Sequence, residues 1–313
     1  MIALLVMSGL VLSVGLTAWI SEYALRRTRQ QTRYGRYAPW THPRGWPAAP
    51  LSWVANSRLL RRICEPVPLV PFISDVTDVV YVNYVIEAHR VAPLIPPGLE
   101  LQRIGESGDL SMVTFLSYRH GHLGPSLLGR WRRLLPSPLQ SNWRVYVRHP
   151  RTNALGVYFL TTAIDHALHA LSARMAAEAL PMHVLKRTST LNSKDGRIDL
   201  LLDPGHGTAP DAEAHFTPLP EWPADGPWRS AFSTYGEMLA YCVPQDRALS
   251  VQPWRGRVTR QEISLDIPLE SCIALAGPVV STAARAIIGT AEPFAFLVPL
   301  VQFRFESEER DPL

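Results

Sequence analysis

The sequence predicts an α+β domain, a mostly antiparallel and curved or closed sheet with two helices against it, preceded by a membrane-spanning helix. Three observations lead there. From Val79 onward, short runs of β-branched and aromatic residues alternate with polar ones, separated by Gly, Pro, Asn and Asp clusters, as half-buried strands joined by turns should be. Only two stretches, one opening at Thr162 and one at Ala231, repeat apolar residues at helical spacing. At the N-terminus, Ile2–Ile20 is nineteen residues without a charge. As a helix it would reach about 28 Å, close to the ~30 Å of a hydrocarbon core.

The N-terminal run has no basic residue before it and no small-residue cleavage site after it, which disfavours a secretory leader. Trp19 and Tyr23 stand where an interfacial aromatic belt would be. Nine arginines follow (Arg26, Arg27, Arg29, Arg33, Arg36, Arg44, Arg58, Arg61 and Arg62), and no acid lies between Tyr23 and Cys64. The positive-inside rule then puts Met1 outside and the rest in the cytoplasm. Residues 1–21 are expected to be a single-pass anchor. Residues 22–71, rich in Arg, Pro and Trp, are expected to be a basic linker near anionic headgroups. The domain itself is expected over 72–306, with a polar tail at 307–313.

Within the domain, Val79–Ile86 reads as a strand and His89–Ile95 as a helical turn stopped by Pro96-Pro97-Gly98. Leu99–Arg103 and Leu110–Tyr118 suggest a hairpin around Gly105-Glu106-Ser107-Gly108, and 121–141 an irregular excursion. Trp143–Arg148 and Leu155–Leu160 are strands across a polar turn. A helix follows, with Thr162 and Asp165 as a capping box, Ile164, Leu168, Leu171 and Met175 on one face, and Pro181 as its stop. Val184–Leu191 and Arg197–Leu202 pair across Asn192–Gly196, and the six prolines of 203–228 mark loop. Helix Ala231–Tyr241 and strands Leu249–Gln252, Val258–Ile267, Cys272–Leu275 and Phe294–Phe305 complete the list.

Composition narrows the function classes. The chain has 313 residues, 47% hydrophobic, with a formal charge of +4. The excess charge belongs to the N-terminal segment, so a nucleic-acid-binding domain is not indicated. Three widely spaced cysteines, Cys64, Cys242 and Cys272, give no disulfide framework and suit a reducing compartment.

The order of motifs identifies a resemblance. Pro97-Gly98-Leu99, the strand Asn142–Val147 (NWRVYV), the strand Gly156–Leu160 (GVYFL) and the segment Ala173–Pro181 resemble the acetoacetate-decarboxylase-like superfamily. The chain is most similar to its uncharacterised YqjF-like branch, over roughly Val79–Glu306. The resemblance implies a cone-shaped, mostly antiparallel β-barrel of the acetoacetate-decarboxylase-like type enclosing a pocket. It also implies where a Schiff-base lysine would stand, in a Pro-Lys-Lys segment. Here that segment reads Pro181-Met182-His183, and the arginine expected before the first strand is replaced by Asp78 or a neighbour. Methionine cannot form an imine.

Two catalytic candidates remain. Lys186 is one of only two lysines, with Lys194, and would share a strand face with Met182. His183 could serve as a general base. Asn142, Arg144, Tyr146 and Arg148 alternate on one strand face, as donors for a carboxylate or other oxyanion if that face points inward. If it points outward, Trp143, Val145 and Val147 line the interior instead. Tyr158 poses the same question on the next strand, and Met182 would be pocket wall. His166 and His169 have metal-ligand spacing beside Asp165 but no third ligand in view. His120 and His122 would share a strand face but sit among glycines. Asp203-Pro-Gly-His-Gly lacks the strand-to-helix setting of a phosphate loop. No metal and no cofactor is expected.

The expected function is therefore a membrane-anchored protein that binds a small, keto-acid-like molecule without the lysine Schiff base. The alternatives are a divergent lyase using Lys186 or His183, and a structural or scaffolding membrane protein. The expected partners are a membrane and a small molecule, with no nucleic acid.

Overall fold

The computed structural model describes residues 13–25, 40–43, 48–64, 71–176, 180–194, 196–244, 246–252, 256–264 and 267–312. Residues 13–25 are helical (α1), followed by α2 (Ala48–Asn56) and α3 (Arg58–Cys64). The domain then runs β1 (Phe72–Glu87), α4 (Ala88–Val91), β2 (Glu100–Leu101), β3 (Leu110–Pro125), a 3₁₀ excursion at Ser126–Leu134, β4 (Leu139–Arg148), β5 (Leu155–Ile164) and α5 (Ala167–Ala176). After these come β6 (Met182–Val184), β7 (Thr190–Lys194), β8 (Arg197–Leu202), β9 (Ala212–Pro218) and α6 (Tyr235–Cys242). The last elements are β10 (Arg247–Gln252), β11 (Arg257–Ser264), β12 (Ile273–Ala276), β13 (Val279–Val280), α7 (Thr282–Ile288) and β14 (Phe294–Pro312).

The strands form one mixed sheet of fourteen, in the order β1-β3-β4-β5-β10-β11-β14-β12-β9-β8-β7. β2 pairs with β4, β6 with β5 and β13 with β9. The expected cone-shaped, mostly antiparallel barrel is corrected on two counts. β5 pairs in parallel with both β10 and β6. The sheet as a whole does not close into a barrel, because its path continues past β14 and ends at β7. β14 is long enough to pair with three strands: Phe294–Arg304 with β1, Arg304–Pro312 with β11, and Ala295–Leu297 also with β12. Residues 307–312, expected as a polar tail, are therefore strand.

The transmembrane expectation is also corrected. Among the described residues no helix is long and apolar enough to cross a membrane; residues 1–12 of the apolar run lie outside the described residues. Near the end of α1 the Glu22 carboxylate accepts hydrogen bonds from Ser57 Oγ (2.8 Å) and from the Arg58 and Leu59 amides (3.0 Å each). It thereby supplies the first turn of α3 with the acceptors that a helix N-terminus lacks. The expected linker is in part packed structure. Trp40 and Ala55 are buried with Ile164, Ala170, Met182 and Val184. Arg174, the arginine of the Ala173–Pro181 motif, donates to Ala55 O (3.2 Å) and Met182 O (3.1 Å), pinning the N-terminal helices to β6.

Several boundaries moved for identifiable reasons. The Thr162–Asp165 capping box does not form, because Thr162–Ile164 pairs with β4 on one side and β6 on the other. Asp165 instead accepts from the Leu139 amide. The hairpin expected at 99–118 reduces to a single bridge, Ile104 to Leu110, while β2 pairs with β4. Helix α7 was not expected. Its first turn is capped by Ser281 Oγ on the Ala284 amide and by Asp211 on the Thr282 and Ala283 amides.

Alternation on β1 and β4 divides the interior in two. Val80, Val82, Tyr84, Trp143, Val145 and Val147 join one core with β7–β9 and α7. Val79, Tyr81 and Tyr146 join a second core with α6. The second holds the polar side chains that matter below.

Candidate functional site

Every β4 residue from Leu139 to Val147 is buried. Hydrophobic pattern alone therefore could not decide which face looks into a cavity. The structure decides it. Trp143 stacks on Phe115 with ring centroids 4.4 Å apart, on the dry side. Asn142 and Arg144 face the other way and line a half-open cavity of about 60 Å³. Val76, Val79, Tyr81, Leu116, Tyr118, Val157 and Phe159 form most of its wall, closed by Ile263, Ile267 and Val301. Scaled by the ~15 Å³ that one water-sized probe needs, it has room for about four such groups.

Two irregularities aim these side chains. Asp78 has φ 53° at a register shift between Thr77 and Val80. This bulge lets Val76, Val79 and Tyr81 all face the cavity, which strict alternation would forbid. Opposite β4, a second shift sets Arg144 against Phe159 and Tyr146 against Val157.

Arg144 is the dominant electrostatic feature. It is 5% exposed. Its Nη2 donates to Cys242 O at the C-terminus of α6 (3.1 Å), where the helix dipole favours a cation. The guanidinium lies 5.4 Å from the centre of the Tyr81 ring and 5.6 Å from that of Tyr146, within cation–π range. Its Nε is buried and has no hydrogen-bond partner. Among the described residues no carboxylate is paired with it. Burial opposes its charge, yet the nearby Tyr146 and Tyr81 phenols outweigh this and hold its pKa above the usual value. A buried cation that meets a carbonyl and two phenols but no carboxylate is an incomplete arrangement, since such groups are costly unless an anion completes them.

A polar chain leads away from the same cavity. Asn142 Nδ2 donates to Tyr118 Oη (3.1 Å), and Gln140 Nε2 donates to Asn142 Oδ1 (2.8 Å). Gln140 Oε1 lies 2.9 Å from His120 Nε2, and His120 Nδ1 lies 2.8 Å from Ser74 Oγ. Burial lowers the His120 pKa to about 4, so the ring is neutral near pH 7. Gln140 Oε1 can only accept, which puts the imidazole proton on Nε2. Tyr118 accepts from Asn142, so its own O–H is left to donate into the cavity. Burial also raises the Tyr118 pKa, which keeps that proton in place.

The other expected residues lie elsewhere. Tyr146 is fully buried beyond Arg144, and its hydroxyl is 3.0 Å from Thr114 Oγ1. Arg148 is past the end of the buried face and binds Glu100 (2.5 Å). Tyr158 is in the dry core with Trp143. Met182 is buried in the N-terminal cluster. His183 is also buried, with Nδ1 2.7 Å from Thr208 Oγ1; burial, Arg174 and Arg61 lower its pKa to about 3. Lys186 Nζ binds Asp203 Oδ2 at 3.1 Å. None of these six lines the cavity. The two candidates that do, Asn142 and Arg144, are joined by Tyr81 and Tyr118, which look in sequence like ordinary strand aromatics.

His120 and His122 belong to β3 and not to a loop. The rings of His166 and His169 meet through their Nδ1 atoms at 2.7 Å. Among the described residues no three His, Cys, Asp or Glu side chains converge as a metal site. A wider, half-open hollow of about 180 Å³ lies between β9, β12 and the 223–228 turn, against Trp228, Tyr235 and Phe294. No cation lines it, and Asp225 is its one charged side chain.

The geometry can be set beside known proteins. The structure is similar to an acetoacetate decarboxylase from Legionella pneumophila (TM-score 0.52, 12% identity), covering 77% of this chain and 87% of that one. It is similar to an acetoacetate decarboxylase-like enzyme from Sphingomonas wittichii RW1 (TM-score 0.53, 10% identity), covering 78% and 93%. It also resembles the enduracididine biosynthesis enzyme MppR with HEPES bound (TM-score 0.51, 14% identity), covering 78% and 88%. At these identities the likeness establishes the fold. No curated protein matches the sequence. The sequence profile of DUF2071, an uncharacterized conserved protein family, matches residues 74–264. The chain therefore belongs to the DUF2071 family, and its fold resembles that of acetoacetate-decarboxylase-like proteins.

Proposed function

We propose that this chain binds a small organic anion, a short carboxylate with a second hydrogen-bond acceptor, in the cavity between Arg144 and Tyr118. One observation carries the reading: Arg144 is buried, charged and without an acidic partner among the described residues, with Nε bare, in the wall of a half-open pocket. A carboxylate would complete its coordination with charge-assisted bonds. The Tyr118 hydroxyl supplies a donor for a carbonyl or hydroxyl on the same ligand, and the valine, leucine and phenylalanine walls accept a short apolar body. The cavity's size fits an oxo acid of a few carbons. The reading includes no imine step, because Lys186 is paired with Asp203 away from the cavity.

Calorimetric titration of the full chain with pyruvate, acetoacetate and acetone tests it. The two acids should bind and acetone should not. Equal binding of acetone, or acid binding that survives Arg144→Met, would sink the proposal.

A further inference from the structure

We propose that the 3₁₀ excursion Ser126–Leu134 is a docking surface for anionic lipid headgroups. Gly129, with φ 47° and ψ −124°, breaks the excursion, and a regular turn starts after it. In a 3₁₀ helix, residues i and i+3 eclipse. The sequence Arg-Trp-Arg-Arg-Leu-Leu from Arg130 to Leu135 therefore forms three ridges. Arg132 and Leu135 make the ridge that holds the protein: Arg132 pairs with Asp75 (3.6 Å), and Leu135 occupies the space that a side chain at Gly124 would need. Trp131 and Leu134 make the second ridge and are 62% and 78% exposed. Arg130 and Arg133 make the third, also exposed, with the Arg130 guanidinium 5.7 Å from the Trp131 ring. Leu127, before the kink, is 74% exposed.

The base of the excursion is fixed. The Ser126 amide donates to Pro71 O, the His122 amide to Ser137 Oγ, and Arg119 to Ser137 O. The apolar ridge is thus held outward with a basic ridge beside it. Charge complementarity selects the partner: Arg130 and Arg133 stand exposed beside the apolar ridge, and the excursion Ser126–Leu134 holds no acidic residue. The size of the patch selects a bilayer over a protein. Three apolar side chains are far short of the roughly 20–30 residues a side of a standard protein interface. Shallow insertion of Trp and Leu beside arginines is what an interfacial segment needs. The proposal concerns attachment to one leaflet and is independent of the cavity.

Vesicle co-sedimentation of the full chain tests it, with phosphatidylcholine alone and with phosphatidylcholine containing phosphatidylglycerol. The chain should sediment with the anionic vesicles. Arg130→Glu with Arg133→Glu should weaken this by at least about 25-fold. Trp131→Ser with Leu134→Ser should reduce it to the level of neutral vesicles. These are exposed positions, and an unchanged thermal midpoint checks folding. The proposal is overturned by no binding to anionic vesicles, by equal binding to neutral ones, or by undiminished binding of both double variants. It is equally overturned if the apolar double variant converts a dimer to a monomer while vesicle binding is unchanged, which would make the patch an interface between copies of this chain.

Discussion

Strands β4 and β6 both carry nitrogen-rich side chains into buried surroundings, and they differ in how those side chains are completed. Around β6, Arg174 donates to two carbonyls and His183 meets Thr208. Just beyond the strand, Lys186 and Thr188 share Asp203. Each group has a protein partner, as buried polar groups in a structural role do. On β4, Arg144 has one carbonyl, two ring faces and a bare Nε. The chemistry of the two strands is similar, and the unmet hydrogen-bonding capacity separates them. The cations and the histidine around β6 are engaged by the protein, whereas Arg144 keeps a donor in reserve for a ligand.

The largest break in that comparison should come from Arg144→Met. Removing the buried cation is expected to weaken carboxylate binding by at least about 30-fold, since truncating one side of a buried charge pair costs ~2–5 kcal/mol. The same change should leave the unliganded fold as stable or more so, because replacing an incompletely partnered buried charge by an apolar side chain is often neutral or stabilising. Calorimetry and a thermal melt check the two halves. Loss of binding with a large fall in thermal midpoint would make Arg144 structural, like Arg174.

The second test uses pH and acts on β6 and on the β3 histidine that ends the polar chain from β4. His120 and His183 have folded pKa values lowered to about 4 and about 3 from 6.5. The unfolded chain therefore takes up protons on both below pH 6.5, while the folded chain does not. Their contribution is fully present above pH 6.5 and is lost as pH falls toward 4. The expected slope is about 1.4 kcal/mol per pH unit for each histidine. Urea unfolding at several pH values should show it, and His120→Gln should remove about half. A flat profile between pH 6.5 and 4.5 would contradict the buried, neutral assignment of both rings.

A smaller effect separates recognition from shape within the cavity. Tyr118→Phe removes the hydroxyl and keeps the ring. Pyruvate binding should weaken by about tenfold, the worth of one hydrogen bond to a polar ligand group, while binding of a carboxylate without a second acceptor, such as propionate, should not change. If both acids lose equally, Tyr118 shapes the cavity without reading the ligand.

Much of this was legible in the sequence, and the limits have physical causes. Asn142-Trp143-Arg144-Val145-Tyr146-Val147 identified the fold and contained the key cation. Which of its faces looks inward was not legible, because both are buried and alternation carries no sign. The bulge at Asp78 was invisible because Asp enters αL readily wherever a sheet demands it, and a single Asp among valines carries no signal that it does so here. Tyr118 and His120 share a face of β3, but Gln140 lies twenty residues further on, and only the pairing of Tyr118 with Gln140 across β3 and β4 makes them a chain. Thr162 and Asp165 matched a capping box, but the growing ladder of β4, β5 and β6 overrode the local signal.

The smallest expected effect bears most directly on β6. Lys186→Met removes the one lysine near the position where the superfamily's reactive amine would be expected. Its side chain is 38% exposed and its ion pair with Asp203 is half solvated, so stability should fall by less than about 1 kcal/mol. Pyruvate and acetoacetate affinities should not change. Borohydride treatment of the wild-type chain with either ligand should leave Lys186 unlabelled, as read by mass spectrometry of its peptide. Labelling at Lys186, or loss of binding in Lys186→Met, would require the pair with Asp203 to open and the amine to reach the cavity. The distinction between a saturated β6 and an unsaturated β4 would then hold only in the unliganded state.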